Sequence, residues 1–392
     1  MKKFAAVMAI VILVCLSGCV PENASVKEKN KLSVGEIKGI WISFSELDRM
    51  MASGDFKTEF CNALDNSVSI GITDAFVHVR PFCDSVYPSE YFPLRKSFEN
   101  CGFDALEFMT AECHSRNIRF HAWINPYRVK TADSDIQTLD SASPAYIWLN
   151  DDDPENDCDV CISNGVYLNP SSLNVRRLIM NGIRETVDKY DVDGVHFDDY
   201  FYPTTDESFD LASYDAYKSG CKEPLSLGDW RRAGVNALIS GCFQAVKFAN
   251  KEIVFSVSPA ASVEKNYGEH YADVSSWVKS GCIDLLIPQL YFGFDYPDGN
   301  YCFEKLLNDW IEITDKTQTQ LAIGLAAYKV GTDKAPDSTE WQADSTVLPR
   351  QIALCNKNDA VAGYVLFSYS SVFSDAEINR ECLNGLKEVL RS

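Results

Sequence analysis

Residues 193–202 read Asp-Gly-Val-His-Phe-Asp-Asp-Tyr-Phe-Tyr, a short apolar strand that runs into two adjacent carboxylates and then into aromatic rings. A carboxylate buried beside an apolar strand costs several kcal/mol unless it is paired or hydrogen-bonded. Two of them, Asp198 and Asp199, set next to rings of the kind that stack on sugars, point to a reaction site. The plainer alternative is an Asp pair that caps the following segment and binds its free amides.

The elements that must hold this pair alternate regularly. Apolar runs at 37–43, 74–79, 118–124, 194–197, 253–257, 284–287, 321–325 and 363–367 have the length and composition of strands buried on both faces of a parallel sheet. Amphipathic segments at 56–69, 103–116, 174–190, 230–247, 271–280, 301–314, 347–356 and 375–390 read as the intervening helices, with Asn174 as an N-cap and Gly281 as a stop. Eight strands alternating with eight helices predict a (β/α)8 TIM-type barrel. A doubly wound open sheet is the alternative, but no Gly-rich phosphate loop follows the first strand.

In such a barrel the chemistry sits at the C-terminal ends of the strands. Those ends carry His78 and Arg80, then His121, Trp123, Asn125, Tyr127 and Arg128, then Asp198 and Asp199, then Ser256 and Ser258, then Gln289, Tyr291 and Phe292, and finally Ser368 and Tyr369. The opposite ends show no such pattern.

Taken together these segments resemble the bacterial glycosyl hydrolase-like 10 family. The resemblance rests on Ile37-Lys38-Gly39-Ile40-Trp41, Val77-His78-Val79-Arg80-Pro81, His121-Ala122-Trp123-Ile124-Asn125-Pro126-Tyr127-Arg128, 193–203, Gly228-Asp229-Trp230-Arg231-Arg232 and Pro288-Gln289-Leu290-Tyr291. It implies a (β/α)8 barrel and glycosidase activity, with cell-wall glycan, especially strands stripped of their peptides, as the substrate class. One departure follows Pro81, where Phe82-Cys83-Asp84 stands in place of an expected Gly-Asp pair.

Glycoside hydrolysis usually needs two carboxyl groups, one on each side of the scissile bond. Neighbouring residues on a strand face opposite ways. With Asp198 facing the barrel axis, His196 and Tyr200 share its side while Asp199 points away or turns over the rim. Asp198 is therefore the expected principal catalyst, Asp199 is held in reserve, and the two together are not the expected working pair. Glu207 is the first choice for the second acid, ahead of Asp206, Asp84, Glu46 and Asp295. The strand also resembles that of the family 18 chitinases, but Tyr200 stands where their last acid, a Glu, would be, which counts against a substrate-assisted mechanism. Trp41, Trp123, Tyr127, Tyr291 and Phe292 are candidate platforms for sugar rings, the alternative for each being core packing. Asn125 and Gln289 have amides able to hold sugar hydroxyls. Arg80 and Arg128 are placed either to orient the carboxylates or to bind an acidic group such as a muramic-acid lactyl carboxylate. His121 and His196 are counted with the substrate-binding residues of the rim, though each is read first as a packed histidine hydrogen-bonded inside the barrel, with direct proton transfer as the alternative. Adjacent residues of one strand rarely converge on one ion, so no metal and no cofactor are expected.

The N-terminus speaks to location. Met1-Lys2-Lys3 and the apolar run from Phe4 to Leu16 form a signal peptide over 1–18, shorter than the roughly 20 residues of a membrane span. Leu16-Ser17-Gly18-Cys19 resembles a bacterial lipobox, which implies a lipidated Cys19, a flexible tether over 19–35 and a catalytic body over 36–392. The expected protein is exported and lipid-anchored to the cell envelope, with a polysaccharide as its partner. A net charge of −20 argues against nucleic acid and against adhesion to anionic headgroups. Of the 14 cysteines, Cys158 and Cys161 have disulfide or metal spacing, and the scattered remainder read as small buried hydrophobes. The function expected is a glycoside hydrolase; a non-catalytic glycan-binding lipoprotein on a degenerate barrel is the alternative, resting on the unassigned second acid.

Overall fold

The computed structural model describes residues 36–332 and 340–391, without the side chain of the last residue. The expected signal peptide, Cys19 and the expected tether lie outside the described residues. Eight parallel strands close into a barrel: β1 (Ile37–Ile42), β2 (Asp74–Arg80), β3 (Arg119–Ile124), β4 (Gly194–Phe197), β5 (Val254–Val257), β6 (Leu285–Leu286), β7 (Gln320–Ala326) and β8 (Val361–Phe367). Each strand pairs with its neighbours in sequence, and β8 pairs back onto β1. All eight fall where the apolar runs place them.

The barrel is filled in layers because inward residues alternate along each strand. In the lower layer the His121 ring lies against Phe76, with centroids 4.2 Å apart and planes 13° apart. His121 fits only because residue 194 is glycine: a Cβ there would meet the imidazole Nδ1 at 2.1 Å. One layer up, the Trp41 indole donates to His196 at 3.2 Å. At the top His78 stacks on Trp123 with centroids 3.7 Å apart.

The outer helices match expectation closely at Phe56–Ser69 and Val347–Asn356, and Gly281, at φ +66°, ends the helix Val274–Ser280. The helix Leu173–Lys189 starts two residues earlier than Asn174 would set it, since the Ser172 side chain caps the Val175 amide. Of the elements beyond the expected sixteen, two border the site. A helix at Phe44–Ala52 follows β1 directly, set by a Ser43/Glu46 capping box. Three short strands, Arg128–Thr131, Val160–Ser163 and Gly165–Leu168, form an antiparallel sheet between β3 and β4. Cys161 is buried in that sheet and Cys158 is exposed beside it; all twelve described cysteines are free thiols. Among the described residues no helix is long and apolar enough to cross a membrane.

Candidate active site

A cleft of about 490 Å³ opens at the C-terminal rim, and its lining includes Trp41, His78, Trp123, Arg128, Asp198, Asp199, Gln289 and Tyr291. Both carboxylates of the pair face it. Of the two expectations for Asp199, that it points away or that it turns over the rim, its place in the lining rules out the first. Ladder pairing of β4 stops at Phe197, so the two Asp residues lie past the strand, where alternation no longer governs them.

Asp198 is only 3% exposed. It accepts from the Trp123 indole at 3.1 Å and from the Asn125 amide at 3.0 and 3.2 Å. Burial pushes its pKa up to about 6, against the Arg128 charge and these donors, and the neighbouring Asp199 raises it further. Asp199 is partly open to the cleft. Burial raises it as well, opposed chiefly by the Gln289 amide, which also donates to the Ser258 carbonyl at 3.0 Å. The larger shift falls on Asp198. Two carboxyl groups in one cleft, one shifted further than the other, are the usual basis of an acid and its ionised partner.

Asn125 turns out to position rather than bind. Its amide is committed to Asp198, and its carbonyl oxygen accepts from the Tyr127 and Arg128 backbone amides. Trp123 likewise joins the cleft to Asp198. Tyr291 stacks near Phe367 and meets Tyr328 edge-on, giving the cleft an aromatic wall. Tyr200, 54% exposed, stands at the rim beside Arg128.

Other expected residues do not reach the cleft lining. Arg80 should point inward by alternation, but the register shifts between His78 and Arg80, and its guanidinium instead lies 3.7 Å from the Phe92 ring. His121 binds Asp74 at 2.9 Å on the barrel floor. His196 is enclosed between Trp41 and Ser256, and its burial keeps it neutral, with a pKa well below 6.5. Tyr127 is buried against Phe201. Phe292 packs on Tyr296 and Tyr301.

None of the expected second acids joins the pair. Glu207 is exposed on the loop beyond β4 and outside the lining, and so is Asp206. Asp84 is held by Arg95 at 2.6 Å. Glu46 accepts from the Ser43 backbone and hydroxyl, the Ser368 hydroxyl and the Ser370 amide, and is spent on structure. Asp295 is exposed, with its backbone bound to Glu340. His78 and Ser258, named only as residues of the strand ends, line the cleft, and so do Phe44 and Tyr328, which the sequence analysis does not name. His78 was legible by alternation, being two residues beyond the inward Phe76.

The loop carrying the pair is clamped from outside. Arg231 forms a buried ion pair with Asp210 at 2.6 Å and donates to the carbonyls of Thr205 and Asp206. Tyr202 donates to the same carboxylate at 3.0 Å. Among the described residues no cluster of three or more His, Cys, Asp or Glu side chains is arranged to hold a metal.

The glycosyl hydrolase-like 10 profile matches residues 36–343, the barrel from its first strand past the seventh. The chain belongs to this family. Glycosyl hydrolase YngK of Bacillus subtilis (strain 168) is 31% identical over 367 residues, covering 86% of this chain and 69% of the relative. Glycosyl hydrolase DigH of Escherichia coli (strain K12) is 32% identical over 331 residues, covering 78% and 73%. Among solved structures, the glycoside hydrolase domain of PgaB (BpsB) from Bordetella bronchiseptica aligns with a TM-score of 0.59 at 12% identity, over 91% of this chain and 98% of that domain. That likeness is one of fold. Family membership makes this protein a glycoside hydrolase and implies a polysaccharide substrate. The rim cleft is where the fold puts such chemistry.

Proposed function

We propose that this glycosyl hydrolase-like 10 protein cleaves glycosidic bonds of a cell-wall-type glycan in strands freed of their peptides, with Asp198 and Asp199 as the working carboxyl pair. The observation that carries this reading is the pair itself: two carboxyl groups held above their ordinary range on the floor of one aromatic-walled cleft. Asp198, with the larger shift, holds a proton into the mildly acidic range and gives it to the glycosidic oxygen as the bond to the anomeric carbon breaks. Asp199, ionised and open to the cleft, faces the positive charge that develops on the sugar. Water then adds to that carbon, and its proton returns to the pair. The aromatic wall orients the ring. The protein acts as an exported lipoprotein anchored through Cys19, as the lipobox-like start suggests.

The test is incubation of the full chain with peptide-free cell-wall glycan and other polysaccharides, with products read by mass spectrometry beside the Asp198→Asn variant. Defined oligosaccharides from the wild type alone support the reading. Full activity in the variant, or no product from any glycan, sinks it.

A further inference from the structure

Among the described residues that line the cleft, Arg128 is the one lysine or arginine. Arg95, Arg119 and Arg231 are matched to acids, Arg95 to Asp48 and Asp84, Arg119 to Asp74 and Arg231 to Asp210, while the buried Arg80 lies over the Phe92 ring and outside the cleft lining. Arg128 forms no ion pair among the described residues. It is nonetheless fixed. Its Nε donates to the Pro81 carbonyl at 3.0 Å, and its own backbone amide is held by Asn125 at 2.8 Å. Its guanidinium lies 4.4 Å from the Phe82 ring and 4.8 Å from the Tyr200 ring, with the Tyr200 hydroxyl beside it.

Rings on the faces of a guanidinium remove water, and a bonded Nε fixes its plane, so the terminal nitrogens present a preset fork. A sugar hydroxyl uses one N–H of such a fork. A carboxylate uses two in parallel, which is the stronger and more specific contact. The charge balance agrees. Two carboxyl groups already occupy this cleft in a chain of net charge −20, so an acidic ligand is repelled unless a cation receives it.

We propose that Arg128 reads a free carboxylate on the bound glycan, next to the scissile bond. This rests on the glycosidase reading of the same cleft and narrows it. In a cell-wall glycan the lactyl ether carries such a group, which is an amide while the peptide is attached and an anion once the peptide is removed. Arg128 thereby gives a physical reason for strands freed of peptide to be preferred. It acts as a specificity residue beside the catalytic pair.

The experiment compares binding of two forms of one muramic-acid-containing oligosaccharide, the free lactyl acid and its methyl amide, by titration calorimetry. The proteins are full-length Asp198→Asn and the double variants Asp198→Asn/Arg128→Gln and Asp198→Asn/Arg128→Lys. The single variant should bind the acid at least about tenfold more tightly than the amide. Gln should abolish that ratio, and Lys, a charge without the fork, should keep only part of it. A loss of folding in the Gln variant would show in its circular dichroism, and the Lys variant then carries the comparison. Equal binding of acid and amide to the single variant, an undiminished ratio in the double variants, or no binding of either form overturns the proposal. Turnover of acid and amide at equal rates by the wild type would leave the glycosidase reading standing while this one fails. A ratio that depends on Arg128 in a protein that cleaves neither form would do the reverse.

Discussion

The two ends of the barrel hold the same residue types in opposite states. On the floor, Asp74 is fully buried but accepts from His121 at 2.9 Å and from Arg119 at 2.8 Å. Burial alone would raise its pKa, yet these partners outweigh burial and hold it below the ordinary carboxylate value. At the rim, Asp198 is almost as buried but has only neutral donors, and its pKa rises to about 6. Partner charge rather than depth separates a structural carboxylate from a reactive one. The histidines differ too. His121 has a carboxylate partner, whereas His78 at the rim has no hydrogen-bond partner among the described residues and is held neutral by burial and by the nearby arginines.

The largest effect should come from Asp198→Asn. Removing the proton donor should lower kcat by about 10³-fold or more, as read by release of reducing ends. The same variant should change stability in a pH-dependent way. Because its folded pKa is raised, Asp198 favours the folded state below about pH 4, and that contribution is lost as pH rises through about 6. The stability of the variant relative to wild type should therefore grow by up to about 3 kcal/mol between pH 4 and pH 8 in denaturant titrations. The floor should respond in the opposite sense. Asp74→Asn strips a buried partner from Arg119 and should destabilise the fold by about 3 kcal/mol. Above pH 4 its penalty should be constant, and the pH profile of the surviving activity should keep its shape.

A smaller effect isolates one hydrogen bond. Trp123→Phe keeps a ring over His78 but removes the N–H that favours ionised Asp198. The basic limb of kcat/KM should move to higher pH, by up to about one unit. An unmoved limb would mean that Trp123 contributes packing alone. Glu207→Gln should be smallest of all: the side chain is exposed and outside the cleft, and activity should stay within about twofold of wild type. A loss of a hundredfold would restore Glu207 as the second acid and break the adjacent-pair account.

The barrel was legible because buried parallel strands leave dense apolar runs, and β4 and β8 show this clearly. The helix at Phe44–Ala52 carries its capping-box signal in Ser43 and Glu46, but Glu46 also stands just past a barrel strand, where a candidate catalytic acid would. The three-stranded sheet was missed because its strands have four residues each inside a polar stretch, too short for a period to show. At the site, alternation explains His196, Asp198 and Trp123 well. It fails for Asp199 and Arg80, and both failures lie where regular pairing ends or slips. The carboxyl group that shares the cleft with Asp198 comes from the next residue, where the chain has left the ladder, and not from Glu207 or Asp206 on the loop beyond it.

Catalysis at this rim requires a cleft carboxyl that keeps its proton above the ordinary carboxylate range. The most direct test is the pH dependence of kcat/KM for wild-type protein on peptide-free glycan from pH 4 to pH 9, with Asp198→Asn alongside. Activity should fall as pH rises through about 6, and the variant should be inactive throughout. A profile that stays flat to pH 8, or a variant that keeps the wild-type rate, would contradict the account.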